Sequence, residues 1–124
     1  MRKIPKPMQL PETAAYWQAA TEGRLLVKRC TACGEHHHYP RDVCPFCLSD
    51  ATEWREAAGT GTVYSFSPMG QGEAAYTLAL VTLDEGPTMM TNLVDGADWR
   101  IGQRVRVRFV PSEGGPPVPM FTAA

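Results

Sequence analysis

The sequence predicts a mainly β protein of three consecutive parts: an N-terminal helix, a four-cysteine metal ribbon and a small five-stranded antiparallel barrel. Three observations predict it. Two C-x-x-C pairs stand ten residues apart. Eleven glycines and eleven prolines break the 124-residue chain into short segments. Beyond Gly59, apolar and polar residues alternate in several runs of strand length.

Residues 1–10 carry Pro5 and Pro7, with Pro11 next, and read as an extended arm. The stretch PETAAYWQAATEG then changes character: Pro11 and Glu12 suit a first helical turn, and Gly23 is a C-terminal stop. Ala15, Tyr16, Ala19 and Ala20 form an apolar stripe at helical spacing, with Trp17 beside it. Two readings stand. The helix packs on its own domain, or Tyr16 and Trp17 anchor a partner. Residues 1–23 are thus assigned to an arm and docking helix, 24–52 to the metal ribbon and 53–124 to the barrel.

RLLVKRC (24–30) is compatible with a strand that delivers the first cysteine pair. Cys30, Cys33, Cys44 and Cys47 form two knuckles. Each tight turn aims two thiolates at one centre, and facing knuckles make the tetrahedral sulfur cage that zinc favours. Rubredoxin-type iron is the chemical rival. Four thiolates close the coordination shell, which makes the site structural. His36, His37 and His38 fall in the spacer and read as a solvated hairpin tip. LSDATEW returns irregularly into a strand at 53–57.

In the last part, GTGTVYSFSP places Val63, Ser65 and Ser67 opposite Tyr64 and Phe66. Strands are expected near 77–83 and 88–94, joined by the turn Asp84-Glu85-Gly86-Pro87. Asp84 and Glu85 read as solvated turn formers. Val105, Val107 and Phe109 alternate with Arg104, Arg106 and Arg108, and a last short strand is expected near Pro119–Phe121.

Function is bounded by what is missing. Twelve Lys and Arg against thirteen Asp and Glu give a net charge of −1, which argues against a general nucleic-acid binder. No apolar run approaches the ~20 residues a membrane helix needs, and no export signal is evident. The expected setting is therefore reducing and cytoplasmic, with cysteines free for metal. There is no G-x-S-x-G, no H-E-x-x-H and no fifth cysteine to act as a nucleophile.

The order Tyr16-Trp17, Gly23-Arg24-Leu25, Cys30-x-x-Cys33-Gly34, Tyr39-Pro40-Arg41, Cys44-Pro-x-Cys47, Gly61-Thr-Val-Tyr-Ser, Val81-x-Leu-Asp-Glu-Gly86 and Ile101-Gly-x-x-Val105 resembles one family. Its members join a rubredoxin-like zinc ribbon to an OB-fold, were long catalogued as a domain of unknown function, and are described as acyl-CoA-associated. The resemblance runs from about residue 10 to 122. It implies a non-catalytic subunit that works beside a thiolase-fold enzyme or a MaoC-type hydratase, with helix and ribbon docked on the partner and the OB-fold near the CoA entrance. Pro68–Ala75 looks shorter than the loop many members carry there.

CoA phosphates would call for basic residues, and Lys28, Arg29, Arg104, Arg106 and Arg108 are the candidates. A solvated strand face is the plainer reading for each. Two alternatives belong to other classes: a single-stranded nucleic-acid module that stacks bases on Tyr64 and Phe66, and a free-standing acyl-CoA-binding protein.

Overall fold

A computed structural model of the chain describes residues 2–124. A 3-10 turn at Pro11–Thr13 leads into α1, Ala14–Thr21. Proline presets the turn's φ, and the Leu10 amide donates to the Thr13 hydroxyl at 3.0 Å. The helix stops at Gly23, whose φ of 78° lies in the left-handed region that glycine enters without penalty. Among the described residues, no helix is long and apolar enough to cross a membrane.

The ribbon is a three-stranded antiparallel sheet in the order β2–β1–β3, with β1 at Leu26–Cys30, β2 at His36–His37 and β3 at Thr52–Glu56. β3 pairs along the whole of β1, from Leu26 opposite Glu56 to Cys30 opposite Thr52. The segment expected to open the barrel at residue 53 therefore completes the ribbon sheet. Backbone pairing decides this, since β1 would otherwise leave a full edge of amides and carbonyls unpaired.

The barrel closes in the order β4–β5–β6–β8–β7 and back to β4. Its strands are β4 (Thr60–Met69), β5 (Tyr76–Leu83), β6 (Thr88–Leu93), β7 (Arg104–Val110) and β8 (Val118–Ala123). One parallel pair, β6 against β8 at Leu93–Phe121, closes an otherwise antiparallel cylinder. This is the OB-fold arrangement, and closure removes the free edges of a small sheet.

Two local features set the barrel's geometry. The β4–β5 register slips between Val63 and Ser65. Strict alternation would put Val63 and Phe66 on opposite faces. The bulge resets the phase, so Val63 faces Val81, Phe66 faces Ala79, and both pack on the core. Tyr64 is left 64% exposed. The second feature is the turn after β5. Asp84 is more than a solvated turn former: it receives both terminal nitrogens of Arg104, at 2.8 and 3.0 Å, and the Thr60 hydroxyl. Those bonds hold its carboxyl down to about 2. The Glu85 carboxylate accepts from the Ala58 amide at 2.8 Å.

One core serves all three parts. Tyr16, Trp17, Ala19 and Ala20 of α1, Leu26 and Val27 of β1, and Val63, Val81, Leu83, Val105 and Phe121 of the barrel belong to one buried cluster. Ala15, expected in the helix's apolar stripe, is exposed. Burial of this shared surface, at about 25 cal/mol per Å² of apolar area, joins helix and ribbon strand to the barrel.

Candidate metal centre and docking face

The four cysteines converge. Their sulfurs lie within 4.8 Å of one another, with Cys30–Cys47 at 3.6 Å and Cys33–Cys44 at 3.7 Å. Zinc–sulfur bonds of ~2.3 Å in a tetrahedron require sulfur separations near ~3.8 Å, so the donor set fits a tetrahedral ion. The sulfurs also perturb one another. Amides of Cys33 and Ala32 lower the Cys30 thiol to about 7. At Cys33 the Glu35 amide pulls down, but burial and the neighbouring sulfurs prevail and push it to about 12.

The knuckles are built alike. The Gly34 amide donates to the Cys30 carbonyl at 2.8 Å, and the Leu48 amide donates to the Cys44 carbonyl at 3.0 Å. Both residues after the second cysteine are left-handed, Gly34 at φ 81° and Leu48 at φ 67°. Glycine takes that conformation freely. A leucine there costs on the order of 1 kcal/mol, and this one holds its side chain 77% exposed.

Tyr16 and Trp17 are 2% and 6% exposed, which corrects their expected role as docking anchors. The Tyr16 hydroxyl meets Nε2 of His38 at 2.9 Å, and the Trp17 indole N–H donates to the Tyr39 hydroxyl at 2.8 Å. Tyr16 and Tyr39 stack edge to face with ring centroids 5.2 Å apart. The helix thus clamps the ribbon's spacer.

The histidines are corrected by the same contacts. His37 is buried and its Nε2 accepts from the Arg41 amide at 3.2 Å, while His38 is half-buried against Tyr16. Neither sits at a solvated tip. Burial lowers His38 from its ordinary 6.5 to about 4. The unfolded chain therefore takes up this proton first as pH falls. Stability is complete above about 6.5 and declines toward 4. Between pH 7 and 5.5 the loss from His38 is expected to be about 1 kcal/mol. Urea midpoints of wild type and His38→Asn at both pH values test this, since the asparagine variant should lose correspondingly less over that interval. Equal losses would refute it.

Of the five basic candidates, Lys28 is corrected. It is 6% exposed, its ammonium lies 4.4 Å over the Trp54 ring, and it donates to the Thr52 hydroxyl at 3.3 Å. Arg29 pairs with Glu53 at 3.5 Å, Arg104 with Asp84, and Arg108 with Asp95 at 2.9 Å. Arg106 is exposed and has no ion pair among the described residues. Lys28 and Arg29 belong to the ribbon sheet and the three β7 arginines to the barrel, so the fold does not gather the five on one element.

Sequence reasoning missed a different surface. Leu10, Tyr39, Val43 and Leu48 line a groove of about 440 Å³ between the arm and the second knuckle. All four are exposed, and Phe46 on the same knuckle is 64% exposed. The signal in the sequence was the apolar residue at two of the knuckle positions, Cys44-Pro45-Phe46-Cys47-Leu48.

Comparison with known proteins agrees with this architecture. The family model described as the ChsH2 rubredoxin-like zinc ribbon domain matches residues 17–53, and that of the ChsH2 C-terminal OB-fold domain matches residues 54–110. A probable enoyl-CoA hydratase alpha subunit of Thermomonospora curvata is 36% identical over 97% of this chain, which spans 40% of that protein's length. A DUF35 domain-containing scaffold protein of Pyrococcus furiosus is 33% identical over 85% of this chain and 79% of its own. A solved structure described as an Ltp2-ChsH2(DUF35) aldolase superposes with a TM-score of 0.83 at 34% identity, covering 95% of this chain and 98% of that one. A DUF35-family structure from Sulfolobus solfataricus, at 13% identity and a TM-score of 0.68, shares the fold.

Proposed function

Because the chain belongs to the ChsH2/DUF35 family, a rubredoxin-like zinc ribbon followed by a C-terminal OB-fold, we propose that it is a non-catalytic accessory subunit of an acyl-CoA enzyme that cleaves or forms carbon–carbon bonds. A thiolase-fold partner carries the chemistry in this reading, and the setting is the cytoplasm. The observation that carries it is the near end-to-end match to a chain of the solved structure described as an Ltp2-ChsH2(DUF35) aldolase.

The chain's own chemistry is consistent with that role. Its four thiols face one metal position, and His37 and His38 are held by structural hydrogen bonds. The cysteines would hold Zn2+, whose contribution is structural: a closed four-sulfur shell leaves no position for water or substrate. The partner docks on the apolar groove of the second knuckle. Leu48 supports this, because a strained residue kept exposed is explained when its side chain has a use outside the chain. Of the basic residues named for CoA, Arg106 is the one left free to reach a phosphate of a ligand shared with the partner.

A second reading has its own support. The Thermomonospora curvata relative carries the hydratase name and extends well beyond this chain, which favours a MaoC-type hydratase as the alternative partner. Affinity purification of the tagged chain from its native host tests both. Stoichiometric recovery of a thiolase-fold protein supports the first reading, and a hydratase-fold protein supports the second. Recovery of nucleic acid, or of the chain alone, overturns the accessory role.

A further inference from the structure

A cleft of about 330 Å³ opens between the N-terminal arm, the start of β5 and the end of β6. Its walls are apolar, with Ile4, Met69 and Met120 among them, and Arg2, Tyr76 and Asn92 supply polar groups. That size is at the lower end for small-molecule pockets, and the lining is the usual kind: an apolar body with a few converging polar groups.

Arg2 is the informative residue. Its guanidinium lies 4.1 Å over the Tyr76 ring, and one terminal nitrogen donates to the Asn92 side-chain oxygen at 2.9 Å. Among the described residues its buried Nε has no hydrogen-bond partner and no carboxylate pairs with it. Five N–H donors thus meet one protein acceptor and an aromatic face. The one acidic side chain on the cleft, Asp95, is already bonded to Arg108 at 2.9 Å. A half-buried cation held in place without a counter-charge is unfavourable unless an anion completes it.

We propose that this cleft binds a small amphipathic anion, a single carboxylate or phosphate group on an apolar chain, with Arg2 as its charge partner. The headgroup meets the guanidinium donors that Asn92 leaves free, and the chain lies along Ile4, Met69 and Met120. Tyr76 and Asn92 keep the guanidinium oriented before the ligand arrives, which lowers the ordering cost of binding. The isolated chain binds this ligand whether or not a partner enzyme docks.

Calorimetric titration of the full chain, tagged at its C-terminus, with octanoate, octyl phosphate and neutral octanamide tests the assignment. At least one of the two anions should bind about tenfold or more tightly than the amide. The tighter anion identifies the headgroup. Arg2→Gln should remove that preference while zinc content and tryptophan fluorescence stay at wild-type values. Ala75→Phe, which places bulk in the mouth of the cleft from an exposed position, should weaken all three ligands together. Equal binding of anions and amide, absence of binding at millimolar concentration, or an Arg2→Gln protein that keeps its preference would each overturn the proposal.

Discussion

Replacing Cys44 with serine is expected to abolish zinc binding and unfold the ribbon. Cys44 is fully buried and its sulfur lies 3.7 Å from that of Cys33. Serine supplies no thiolate, and three sulfurs cannot close the shell. Structural zinc is worth ~10–16 kcal/mol in zinc-finger peptides at neutral pH, comparable with the ~5–15 kcal/mol stability of a whole domain. The damage should spread. α1 is clamped to the spacer between the knuckles through Tyr16–His38 and Trp17–Tyr39, and the helix shares its core with the barrel. Metal analysis should find less than one equivalent, and thermal melts should broaden or shift down strongly. A Cys44→Ser protein with a full equivalent of zinc and a wild-type melt would refute the structural site. A wild-type protein that purifies red, with iron, would replace zinc by the rival ion.

The second large effect concerns the complex and separates docking from folding. In Phe46→Glu/Leu48→Gly, two exposed apolar side chains leave the knuckle, one for a charge. Hot-spot contacts of a protein interface are each worth about 2 kcal/mol or more; with both side chains at the centre of the docking face, affinity for the copurified partner should fall at least about a hundredfold. Leu48→Gly alone is the sharper probe. Glycine relieves the left-handed strain at φ 67°, so the single variant should be more stable by roughly 1 kcal/mol and yet bind more weakly. Urea midpoints and pull-down titrations on the same preparation give both numbers. If the variant gains stability and keeps full affinity, the partner docks elsewhere.

The cysteine spacing, the helix ended by Gly23 and the strands β5 to β8 were legible because each rests on neighbours in the chain. A C-x-x-C turn needs only four residues, a hairpin turn only Asp84 to Pro87, and alternation along Arg104–Val110 is a property of one strand. The convergence of the four cysteines on one position followed for the same reason. The side chains beyond the metal were much less legible. Two adjacent aromatics on a short helix look the same whether they meet a partner or their own chain. Tyr39 and His38, twenty-two residues away, supply the answer only once β1 and β2 have paired.

Lys28 illustrates the same limit with a charge. Its charge and its place beside the ribbon made it a candidate for a CoA phosphate, and only the pairing of β1 with β3 sets Trp54 and Thr52 around its ammonium. The bulge at Tyr64 likewise turns Phe66 toward the core after a run that reads as plain alternation. The sequence by itself determined the ligand set, the chain of elements and the turns that link them, because those depend on local backbone geometry. Tertiary structure alone decided which aromatic, histidine and basic side chains are covered and which face is left open, because burial depends on surfaces contributed by segments distant in the chain.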